Sequence, residues 1–156
     1  IINSNFNVMF HIILFEPEIP PNAGNIIRLS VNTGCQLHFI EPLGFSLDEK
    51  SFKRAGMDYM KRKDIKVWNS LEECIDNLDL NNIYSISTKG KIQYTKVDYS
   101  NNDAFIFGPE SRGLPKKIRE SFQSIYIPMK SEGRSLNLAN AVSIIIYEAW
   151  GRFNFR

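Results

Sequence analysis

The residues of this chain that could do chemistry sit in three polar segments, each placed where an apolar run ends. The most telling is FGPESRGLP, Phe107 to Pro115, where the strand-like run DAFIF gives way to two glycines, two prolines, a Glu and an Arg. Gly108 can take backbone angles closed to other residues, so the chain can turn off a sheet edge and leave bare backbone for a ligand. Glu110 and Arg112 put opposite charges on that turn, and Pro115 is placed to open the helical stretch PKKIRESF. The Gly-x4-Gly spacing lacks the Lys-Ser/Thr of a phosphate-binding P-loop, so an ordinary strand-to-helix turn competes with a binding loop on this segment alone.

The second segment, IPMKSEGRSLNLANAVSIIIYEAW from Ile127 to Trp150, runs from a strand end through a polar loop into a helix with Ser135 or Asn137 as N-cap. Leu138, Ala141, Val142, Ile145 and Ala149 fall at helical spacing. Ile144, Ile146 and Trp150 widen the apolar surface beyond what one core needs, which predicts packing against a partner subunit. Asn140, Ser143 and Tyr147 form one narrow polar row suited to a ligand-facing or satisfied interior position. In the third segment, EPEIPPNAGNIIRLSVNTG, Asn22 reads as a helix N-cap, and Asn25 and Arg28 share a face; the planar Arg fork suits phosphate or carboxylate.

The elements that must position these segments alternate in type. Strands are predicted at Phe10 to Phe15, Gln36 to Ile40, Asn82 to Ser87, Ala104 to Phe107 and Ser124 to Ile127. Helices are predicted at Asn22 to Asn32, Ser70 to Leu78, Pro115 to Phe122 and Asn137 to Arg152. This order gives an α/β domain with a mostly parallel sheet. Nine glycines form no GxGxxG, and the first strand runs into EPEIPPN, which argues against a dinucleotide fold.

A chain of 156 residues fits a single domain, assigned to 9–156, with residues 1–8 read as an extension ahead of Met9. The net charge of +2 is too small to imply nucleic acid by itself, although basic residues gather at Lys50/Lys53/Arg54, Lys61/Arg62/Lys63, Lys89/Lys91/Lys96 and Lys116/Lys117/Arg119. Cys35 and Cys74 form no CxxC and no ligand grouping with His11 or His38, which argues against a metal. Isolated thiols and no long apolar span point to a reduced, cytoplasmic protein that does not enter the membrane.

Taken together, NxGNxxR, FGPExRGLP, and IPM followed by RSxNxxNAVSxxxYEAW resemble the three motifs of the SpoU-type branch of the SPOUT superfamily of RNA methyltransferases. Within it the chain is most similar to the tRNA wobble-nucleotide 2′-O-methyltransferases. The resemblance extends from Met9 to about Phe153 and includes FEPEIPPNAGNIIRL, IEPLGF, RAGMDY and STKG. It implies an α/β knot: a mostly parallel sheet flanked by helices, with a C-terminal trefoil knot. A homodimer acting on the tRNA anticodon loop is also implied, with S-adenosyl-L-methionine as methyl donor.

Carried over residue by residue, the resemblance puts Ile86, Gly108, Ile127, Ser135 and Leu136 around the cofactor. It gives Arg28, contributed across the dimer interface, the role next to the ribose hydroxyl, either as the base or as an electrostatic stabiliser. Glu110 and Asn137 position the substrate and shape the active loop. Lys89, Arg112, Arg134 and Tyr147 are the candidates for holding RNA. Methylation of ribosomal RNA, or an RNA-binding protein on the same fold without catalysis, are the competing expectations.

Overall fold

The computed structural model describes residues 7–48, 50, 53, 65–131 and 133–156. The RAGMDY segment, the Lys61/Arg62/Lys63 cluster, Arg54 and residues 1–6 of the expected extension lie outside the described residues. Val8, assigned to that extension, is buried, and its N–H donates to the Arg156 carbonyl at 3.1 Å.

Among the described residues, seven strands form one all-parallel sheet: β1 His11–Phe15, β2 Gln36–Ile40, β3 Ile65–Trp68, β4 Ile83–Ile86, β5 Ile92–Gln93, β6 Ala104–Phe107 and β7 Gln123–Tyr126. Their spatial order is β3-β2-β1-β6-β4-β7-β5. The central strands read as unbroken apolar runs because a parallel sheet covered by helices is buried on both faces. Alternate residues of β1 separate the two cores. Ile12 and Leu14 join Phe10, Phe39 and Phe105 beneath α1 (Pro20–Thr33) and the last helix, α4 (Leu138–Gly151). Ile13 joins Ile40, Ala104 and Ile106 on the other face, beside Leu71 and Cys74 of α2 (Leu71–Asp76) and near α3 (Lys116–Ser121).

The expected strands and helices stand within two residues of their predicted bounds at every end. Two edge strands, β3 and β5, were not foreseen. β3 exposes two of its four residues and β5 has only two, so neither carries the apolar run that marks an interior strand. The start of α1 also differs. Asn22 is inside the helix and buried, while Ile19 is the N-cap and Pro20 opens the helix. Two adjacent prolines suit a first helical turn, where a missing N–H costs nothing. Gly34 closes α1 in the left-handed conformation at φ 73°.

On the second core face, the His11 Nδ1 and His38 Nε2 atoms lie 2.9 Å apart, and the Trp68 indole N–H donates to His38 Nδ1 at 3.0 Å. Burial lowers both imidazoles, to about 4 for His11 and about 3 for His38, with Lys66 adding to the effect on each and His11 to that on His38. Burial also pushes the thiols up, Cys35 to about 11 and Cys74 to about 12, so both stay protonated. Among the described residues no helix is long and apolar enough to cross a membrane.

Candidate active site

Parallel strands send their following loops to the same sheet edge, and ligands of open α/β sheets bind there. Here β6, β4 and β7 are neighbours, with Ile86 paired to Phe107 on one side and Ile125 on the other. The loops after these strands surround a cleft of about 510 Å³, within the ~300–1,000 Å³ range of small-molecule sites. All five residues assigned to the cofactor line it: Ile86 from the β4 exit, Gly108 from the β6 exit, and Ile127, Ser135 and Leu136 from the β7 exit. Lys89, Glu110, Arg112 and Asn137 line it as well. Ile86, Ile127, Leu136 and Leu138 supply apolar walls, while Ser87, Thr88 and Ser135 add hydroxyls.

A fourth loop, between β1 and α1, is bound tightly to the β6 loop. The Glu110 carboxylate accepts the N–H of Glu18 at 2.9 Å and of Ile19 at 3.1 Å, with the Asn22 amide at 3.4 Å. Helix α1 has no side-chain cap of its own at Ile19. Glu110 therefore caps it from a different part of the chain, placing a negative charge at the positive end of the helix dipole. In the reverse direction, the Glu18 carboxylate accepts the Ser111 N–H at 2.9 Å and the Ser111 hydroxyl at 2.8 Å. Those two donors hold the Glu18 carboxyl below its usual range, with Arg112 adding to the effect. Arg112 Nη2 lies 3.1 Å from Glu16 Oε1.

Asn22 connects the third loop. The Asn137 amide donates to Asn22 Oδ1 at 3.0 Å, while Asn137 Oδ1 accepts the N–H groups of Ala139 and Asn140 as the N-cap of α4. Of the two caps open in the sequence, Asn137 is the one used. The chain Glu110–Asn22–Asn137 thus ties all three polar segments together at the cleft, through side chains 88 and 115 residues apart. Asn22 was not foreseen as a site residue because its type and place also fit an ordinary N-cap.

Gly108 is required for a reason different from the expected backbone angle. It is absent from the positive-φ positions; instead, a Cβ there would lie 2.3 Å from the Leu114 nitrogen and 2.5 Å from the Gly113 carbonyl carbon. The loop folds back on itself at that point. Gly113, at φ 68°, is the residue that needs glycine's angular freedom.

Three assigned residues do not line this cleft. Arg28 is exposed on α1, six residues past Asn22, which puts it about 9 Å further along the axis and about 120° around it. Arg134 is exposed in the β7–α4 loop but does not line the cleft. Tyr147, 45% exposed, packs its ring against Trp150 and Phe155 at centroid distances of 5.7 and 6.4 Å. Its row partner Ser143 satisfies itself by donating to the Ala139 carbonyl.

Residues 9–147, which include Asn22, Glu110 and Asn137, match the model of the SpoU rRNA Methylase family. The chain belongs to that family. A tRNA (cytidine(34)-2′-O)-methyltransferase of Yersinia pestis is 48% identical over 155 residues, covering 94% of this chain and 96% of the relative. The Escherichia coli K12 protein of the same name is 43% identical over 150 residues, covering 94% and 96%. A solved structure giving insights into "2-OH methylation of C/U34 on tRNA" superposes with a TM-score of 0.87 at 38% identity, covering 96% of this chain and 99% of its own. The SpoU methyltransferase AviRb of Streptomyces viridochromogenes superposes with a TM-score of 0.79 at 22% identity, covering 96% of this chain and 59% of its own, and shares the fold. This SpoU family chain is an α/β protein of the SPOUT type, and its three polar segments converge on the cleft.

Proposed function

We propose that this protein is a tRNA methyltransferase that moves a methyl group from S-adenosyl-L-methionine to the ribose 2′-hydroxyl of the wobble nucleotide, cytidine or modified uridine at position 34. The observation that carries the reading is the convergence of the three family motifs on one cleft, locked by Glu110, Asn22 and Asn137. The names of the close full-length relatives point to the anticodon as the place of action. Methylation of ribosomal RNA is the second reading, favoured only by the description of the family as a whole.

The cleft fits the methyl donor in size and in lining: apolar side chains for an adenine, and hydroxyl and backbone groups for polar edges. When bound there, S-adenosylmethionine supplies an electrophilic methyl on a sulfonium that leaves as a neutral thioether. The chain's part is to hold the ribose hydroxyl in line and to support the charge that develops as its proton departs. Arg28 is the assigned group for this. A guanidinium stays protonated, so its natural work is to stabilise the developing alkoxide or to orient the neighbouring phosphate. Glu110 and Asn137 hold the active loops in place, and Lys89, Arg112, Arg134 and Tyr147 receive the RNA.

Arg28 does not line the cleft of its own subunit, which supports a composite site completed by a second copy of the chain. Phe155 and Val31, large apolar side chains 56% and 46% exposed, support a homodimer. β7 lies between β4 and β5 although it follows both in the chain, an order that suits a threaded C-terminal segment. The test is transfer of labelled methyl from S-adenosylmethionine to bulk tRNA, followed by mass-spectrometric mapping. A 2′-O-methyl group at position 34 is expected; methyl transfer to ribosomal RNA instead, or none to any RNA, would overturn the reading.

A further inference from the structure

Three carboxylates stand on the two interlocked loops, and their bonding differs. Glu110 is occupied by the N–H groups at the start of α1, and Glu18 by both donors of Ser111. Glu16 instead faces Arg112, through Nη2 at 3.1 Å, with the two side chains 56% and 21% exposed for Arg112 and Glu16 respectively. Arg112 lines the cleft and Glu16 does not. Glu16 also holds a left-handed backbone, φ 50°, a conformation that disfavours residues with a side chain and persists where the surroundings impose it. The carboxylate thus stands outside the cleft lining, against the one Arg of the FGPESRGLP loop.

An exposed single-contact ion pair holds its partners weakly. An RNA phosphate offers the same guanidinium a stronger, two-pronged partner. Accepting the tRNA reading above, we propose that Glu16 is a built-in competitor for the substrate's phosphate: it holds the Arg112 fork in the RNA-free enzyme and yields it when the phosphate beside the target nucleotide is seated. Every anion that reaches Arg112 must thereby compete with Glu16, and productive binding requires a strand that displaces it. Because only the fraction of molecules with a released Arg112 is ready to bind, the pair weakens apparent RNA affinity by about two- to six-fold.

The test is a double-mutant cycle of Glu16→Gln and Arg112→Ala, read by binding of an anticodon stem-loop RNA at fixed salt and by methylation kinetics. Gln keeps the length of the side chain and the same backbone demand, so it removes the charge alone. Glu16→Gln should tighten binding about two- to six-fold and lower KM in step, while the fall in KM is not matched by a change in kcat. In the Arg112→Ala background the same change should have no effect. Unchanged affinity in Glu16→Gln would overturn the proposal, as would tightening that persists without Arg112, since that would reflect only the loss of a negative charge near RNA. Binding is read without turnover, so a wild-type protein that binds the RNA but never methylates it would count against the proposed function and leave the cycle to decide Glu16.

Discussion

Glu110 gives the sharpest separation between architecture and proton chemistry. Replacing it with Ala removes the acceptor of two backbone N–H groups and of the Asn22 amide at the start of α1. Hydrogen bonds to a charged group contribute about 1.5–3 kcal/mol each. The Ile19 bond is exposed and rehydrates readily, and the Asn22 contact is long at 3.4 Å. The loss should therefore be about 2–3 kcal/mol, equivalent to a fall in Tm of about 4–12 °C at this chain length. Because the β6 loop is anchored through the same carboxylate, affinity for S-adenosylmethionine should fall with it. Glu110→Gln keeps one carbonyl acceptor and should show a smaller loss of both. Calorimetry of unfolding and of cofactor binding, with single-turnover methylation, tests the reasoning. A Glu110→Gln protein with wild-type Tm and cofactor affinity but no methyl transfer would refute it, since that pattern belongs to a proton-transferring group.

Arg28→Ala should slow methyl transfer by roughly 10²- to 10⁴-fold with cofactor affinity nearly unchanged, and Arg28→Lys should not restore it, because the planar fork is lost; single-turnover rates beside a cofactor titration check both. Gly108→Ala should weaken cofactor binding and lower Tm together, since its Cβ strikes the backbone of Gly113 and Leu114 rather than a yielding side chain; intact binding in a folded variant would remove FGPESRGLP from the cofactor site. Sedimentation should show a dimer, and a monomer that still methylates tRNA would exclude the composite site. Acid should weaken the fold. With His11 at about 4 and His38 at about 3 when folded, against 6.5 ordinarily, the unfolded chain binds more protons, so stability falls as pH drops from about 6.5 toward 4. Denaturant midpoints between pH 7.5 and 5 should decline, and the double variant His11→Gln/His38→Gln should lose most of that slope. Asp103, whose carboxyl is raised by burial, acts in the opposite sense and remains in both proteins.

The sequence by itself determined the element types and most of their bounds, because the central strands are buried on both faces and must be apolar throughout, and because proline, glycine and Asn137 mark where helices begin or end. It determined the three motifs too, since each is a local string of residue types. What it left open is how they meet. β4, β6 and β7 are neighbours only because β4 inserts between two strands that follow it in the chain, a matter of non-local pairing that no window of residues contains. Asn22 shows the same limit: its residue type fits a helix cap, and only the tertiary approach of Glu110 and Asn137 makes it a tie between loops. Gly108 was legible as a required glycine, but the reason for it lies in the return of Gly113 and Leu114 upon it. The placement of Arg28 off its own cleft likewise follows from how α1 packs on the sheet, which the spacing NxGNxxR does not encode.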